Sequence, residues 1–150
     1  MRAAIVAVCL IGSAALWIWA WAPWGSDTGE AVPAEFCGEF DLYRFVPAPG
    51  SDVTDPTRAG QRTRFHFRAD GSFLYRALTA EDLELVRNEG SLAMNADGRL
   101  VLHQMSENRT PSEVPAQVYR PLWIDDKEAG RVLSLTAIPE GYQLLLKPVE

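Results

Sequence analysis

The side chains able to do chemistry in this 150-residue chain are few: two histidines, two cysteines and a group of arginines close together in sequence. A zinc centre needs three or four ligands held in a fixed arrangement, and His66 and His103 stand on separate segments without neighbouring ligands. His103-Gln104-Met105 would put imidazole and thioether on one strand face, a soft donor pair that suits copper. Met94, however, points to the opposite face in the pairing derived below, so both histidines read as solvated and no metal or other cofactor is expected. There is no Gly-x-Ser-x-Gly elbow, and neither histidine has an evident serine or cysteine partner. Asp125-Asp126 and Glu81-Asp82 read as a turn and a helix start, not as carboxylates facing across a cleft. No glycine loop is built to cradle phosphate. The chain offers no catalytic constellation, and an enzyme is not expected.

Arg62, Arg64, Arg68 and Arg76 are more informative. They share one strand face with His66, and Arg64 falls opposite Arg76. Like charges facing each other across strands repel unless something negative is near. The compensation is either internal, from Glu81, Asp82, Glu84 and Glu89, or external, from an anionic surface or an acidic partner. Cys37, the only thiol beyond the hydrophobic start, reads as buried and inert.

Composition bounds what these residues can serve. The net charge is −6, with 14 basic against 20 acidic residues, which argues against nucleic acid as a partner. Two cysteines exclude a disulfide scaffold, and 10% aromatic residues with abundant aliphatics exclude disorder. Residues 1–24 give the address. Arg2 is the only charge before Asp27, and as a helix Ala3 to Trp24 would reach roughly 33 Å, about the thickness of a bilayer's hydrocarbon. Trp17, Trp19, Trp21 and Trp24 gather at its far end, where aromatic rings favour the headgroup level. The positive-inside rule leaves the N-terminus in the cytoplasm and exports the rest. Two outcomes stay open: an uncleaved anchor in a bacterial inner membrane with the domain on the periplasmic side, or a secreted or periplasmic product after signal cleavage. Residues 25–35 read as a flexible linker and 36–150 as the folded domain.

That domain alternates as strands do. Arg62 to Arg68 has strict period two, and Ala69-Asp70-Gly71 suits a three-residue hairpin loop. The loop sets Phe67 against Phe73 and Phe65 against Tyr75, with Leu74 a stray apolar residue on the outer face. Ala96-Asp97-Gly98 repeats the device and sets Met94 against Leu100 and Leu92 against Leu102. A two-residue loop at Glu140-Gly141 would set Ala137 against Leu144 and Leu135 against Leu146, leaving Leu145 and Ile138 outward. Pro121 marks an edge or a bulge in the strand over 117–124. Segment 79–88 reads equally as a helix start, with Thr79 as cap, or as a strand. Stretches 47–61 and 106–115 are long loops.

The expected fold is all-β: an antiparallel meander of seven to eight strands, closed to remove its edges and preceded by one N-terminal hydrophobic helix. In arrangement the chain resembles the small lipocalin-like barrels of the bacterial envelope. The resemblance rests on Gly38-Glu39-Phe40 at the first strand, with Phe40 where lipocalins usually carry Trp, on the aromatic-Asp-Gly-aromatic hairpin, and on the short closing hairpin. It implies a binding role, either for a small apolar ligand held by Phe65, Phe67, Phe73, Tyr75, Leu92, Met94 and Leu102, or for an envelope protein with the core filled. A barrel of this size is just wide enough to be filled by its own side chains or to hold one small ligand.

Overall fold

The computed structural model describes residues 29–55, 60–112 and 114–150; the hydrophobic segment 1–24 and the first part of the linker lie outside them. The described residues form a short 3-10 helix at Ala34–Phe36 and nine strands: β1 (Gly38–Val46), β2 (Gln61–Phe67), β3 (Ser72–Thr79), β4 (Glu84–Met94), β5 (Leu100–Glu107), β6 (Thr110–Pro111), β7 (Gln117–Asp126), β8 (Gly130–Ile138) and β9 (Gln143–Pro148). Every pairing is antiparallel, and each barrel strand pairs with the next until β9 returns to β1. The result is a closed barrel of eight strands, with β6 a two-residue addition on β5. Among the described residues, no helix is long and apolar enough to cross a membrane.

Two hairpins have the register that the alternation predicts. Phe65 pairs with Tyr75, Phe67 with Phe73 and Arg64 with Arg76, and Leu92 pairs with Leu102 and Met94 with Leu100. Their loops close through glycines in the left-handed region, Gly71 at φ 82° and Gly98 at φ 71°. Acceptor side chains steady both turns. Asp70 Oδ1 receives the Ser72 N–H at 2.9 Å, and Asn95 Oδ1 receives the N–H groups of Asp97 and Arg99 at 3.0 Å each.

The third hairpin differs. Leu135 pairs with Leu144 and Leu133 with Leu146, two residues away from the expected register. The loop is longer than two residues: Ala137 N–H donates to Tyr142 C=O, and Gly141 N–H donates back to Ala137 C=O, both at 2.9 Å. A slip of two keeps every side chain on its own face, where a slip of one would reverse them all. Leu133, Leu135, Leu144 and Leu146 accordingly remain in the core. On the outer face, Leu74 and Leu145 are nonetheless buried, at 5% and 6% exposure.

Segment 79–88 resolves as a turn followed by the start of β4. Thr79 Oγ1 receives the N–H groups of Glu81 and Leu83 at 3.2 Å each, as a helix cap would. Thr79 N–H meanwhile pairs with Leu83 C=O at 2.9 Å, and Asp82 takes φ 64°, so the chain reverses instead of coiling. Pro121 lies just past the three pairs that join β7 to β5, so its missing N–H interrupts none of them.

Residues 30–35 differ from the tether expected of them. Glu30 exchanges backbone hydrogen bonds with Met94 at 2.8 and 3.1 Å, and Val32 is buried in the core cluster. Together with the 3-10 helix this segment seals one end of the barrel. Phe67, Leu100, Leu133 and Leu146, all fully buried, pack that half, and the Phe40 ring lies tilted against Phe67 and Trp123 at centroid separations of 5.7 and 6.1 Å.

Candidate functional site: an open half-barrel cavity

The opposite end of the barrel is hollow. A cavity of about 340 Å³ opens there, within the range of small-molecule sites. Phe65, Phe73, Tyr75 and Leu102 line it, as do Leu144 from β9 and Phe45 from β1. Val53 and Val114, from the two long loops, stand at its rim. Of the seven residues expected to meet a ligand, those four line the space. Phe67, Leu92 and Met94 belong to the same core but do not line the cavity. Period two assigns a face but not a depth along the barrel axis, and depth is what separates the two groups.

Polar groups that sequence reasoning missed complete the lining. Asn88 on β4 and Gln104 on β5 point inward, and Asn88 Nδ2 donates to Gln104 Oε1 at 3.1 Å. The same alternation reaches them, Leu92 to Gly90 to Asn88 and Leu102 to Gln104, but polar residues near strand ends carry no hydrophobic signal to extend. On the other wall, Tyr119 and Tyr142 share a hydroxyl–hydroxyl hydrogen bond of 3.0 Å, and Tyr119 also donates to Gln117 Oε1 at 3.0 Å. Burial, reinforced by its bond to Tyr142, pushes the Tyr119 phenol far up. Tyr75 is also raised by burial, against a lowering hydrogen bond with Thr63. Both phenols therefore stay neutral across the physiological range. Gly90 makes the wall possible: a Cβ there would lie 2.0 Å from the His103 carbonyl oxygen and 2.8 Å from the Phe73 ring, beside the irregularity where β4 shifts its register on β5.

The outer face carries the arginines. Asp41, Arg64, Arg76 and Arg87 form one row across β1 to β4. Arg64 makes two hydrogen bonds to Asp41, at 2.7 and 3.0 Å, and these raise its guanidinium pKa. Glu39 stands within 3.5 Å of Arg76, 3.6 Å of His66 and 3.9 Å of Arg64. Arg62 pairs with Asp82, and Arg87 pairs with Glu89 and Glu84. Arg68 acts electrostatically on Asp70 and Glu89. Asp82, Glu84 and Glu89 were among the expected internal partners. Glu39 and Asp41, from β1, were not, because the long 47–60 loop between β1 and β2 hides their register. Among the described residues, no three His, Cys, Asp or Glu side chains gather as a metal would need.

No protein family, curated protein or solved structure matches this chain.

Proposed function

We propose that the chain is a lipocalin-like binding domain, exported and held at a bacterial membrane by its N-terminal segment, that carries a small, largely apolar ligand in the open half of its barrel. The observation behind this reading is the cavity: about 340 Å³ of space walled by aromatic and aliphatic side chains, with a few inward amides and phenols. Apolar walls supply affinity through burial, and sparse polar groups orient the guest. The alternative, an envelope-protein partner or anionic surface taken by Arg62, Arg64, Arg68 and Arg76, has less behind it, since acidic side chains interleave with these cations.

The chain's own tyrosines supply a test. It has four; Tyr75, Tyr119 and Tyr142 line the cavity, whereas Tyr43 sits outside and donates its hydroxyl to Glu128 at 3.1 Å. In the full chain labelled with 3-fluorotyrosine and held in lipid nanodiscs, a ligand such as 1-decanol should shift three fluorine resonances and leave the fourth in place. No movement of the three would defeat the proposal.

A further inference from the structure

The cavity's charge pattern specifies which amphiphiles it accepts. No lysine, arginine, histidine or acid is among its described lining residues. It continues into a more polar groove that shares Asn88, Gln104, Gln117, Tyr119 and Tyr142 with it. The only charged side chains among the described residues of that groove are Glu107, at the end of β5, and Glu140, in the β8–β9 loop. Both carboxylates are exposed at the groove's outer edge. Glu140 lies close enough to the Tyr119 phenol to act on it electrostatically. A guest with its apolar body between Phe65, Phe73 and Leu144 would place its polar end against phenols and amides, with two carboxylates beyond. An anionic end would lose its water, gain no cation and meet like charge.

Resting on the reading that the cavity binds a ligand, we infer that it selects by the charge of the ligand's polar end. It takes a neutral or cationic amphiphile and turns away a carboxylate, and Glu107 and Glu140 are the specificity-determining residues. The cavity holds roughly eleven units of water size at about 30 Å³ each, which suits a chain of about ten carbons.

The experiment uses three guests of equal length, 1-decanol, decylamine and decanoate. Each is titrated at pH 8 into the fluorotyrosine-labelled full chain in nanodiscs, with free concentrations corrected against empty discs. Decanol and decylamine should move the Tyr75, Tyr119 and Tyr142 resonances at concentrations at least about tenfold lower than decanoate does, an effect on the order of two like charges at a half-solvated rim. Glu107→Gln combined with Glu140→Gln should strengthen decanoate binding and leave decanol unchanged. Decanoate binding as tightly as decanol would overturn the inference. So would a double variant that keeps the gap, or a loss shared equally by decylamine and decanoate, which would make desolvation and not the two acids its cause. Silence from all three guests would instead remove the binding reading itself.

Discussion

Arg64 and Asp41 meet side-on across β1 and β2, with Nε 2.7 Å from one carboxylate oxygen and Nη2 3.0 Å from the other. Two parallel charge-assisted hydrogen bonds of this kind fix geometry as well as charge. They also offset a repulsion that the sheet imposes, since Arg64, Arg76 and Arg87 follow one another across three strands. Asp41→Ala should therefore cost more than an ordinary surface pair, about 1.5–3 kcal/mol. Urea unfolding of Asp41→Ala, Arg76→Ala and the double variant would show it: with Asp41 gone, loss of Arg76 should cost less than in the native protein, or even stabilise.

Gly90→Ala should be among the most destabilising single changes in the barrel. The added methyl would lie 2.0 Å from a backbone oxygen, which cannot swing aside as a side chain can. A loss of about 3 kcal/mol or more is expected, at the upper end of overpacking effects. Thermal unfolding followed by circular dichroism measures it directly.

The two halves of the barrel should answer differently to the same deletion. Leu133, fully buried in the sealed half, should lose roughly 3–5 kcal/mol on change to Ala, because a new void opens in packed surroundings. Leu144 already borders empty space, so Leu144→Ala should cost nearer 2 kcal/mol. Decanol binding by Leu144→Ala should weaken, and that by Leu133→Ala should not, provided both are assayed well below their melting temperatures.

Acid should unfold the domain through specific carboxylates. Hydrogen bonding to Arg87 lowers Glu89, the N–H groups of Ala129 and Glu128 lower Asp126, and the Ser72 hydroxyl and N–H lower Asp70. A carboxyl depressed in the folded state contributes its full stability above its unfolded value, about 3.9 for Asp and 4.3 for Glu. That contribution is lost as pH falls through the lower folded value. The melting temperature should thus hold from pH 7 to about 5 and decline below about pH 4. Asp126→Asn keeps an acceptor for the turn but removes the titration, and should flatten part of that decline.

Sequence alternation and the Asp-Gly turns are strong where they coincide, which is why Phe65 opposite Tyr75 and Met94 opposite Leu100 could be read directly. A loop of uncertain length was enough to slip the Leu135 pairing by two. Val32 and Phe36, single apolar residues among small and acidic ones, have no periodicity to announce that they seal the barrel. The cavity was half legible. Phe65, Phe73, Tyr75 and Leu102 came from the inward face, but Asn88, Gln104, Tyr119 and Tyr142 are polar or distant in sequence, and their convergence needs barrel closure.

The backbone bridge between Glu30 and Met94 fixes more than a plug. Met94 ends β4, whereas the cavity lies toward β4's other end, at Val86 and Asn88. Glu30 itself is thereby held at the pole opposite the mouth. A surface that captured the domain at Glu30 would meet its sealed base and leave the opening turned outward, like a cup on a table. An immobilising group attached at Glu30 would leave the entrance clear.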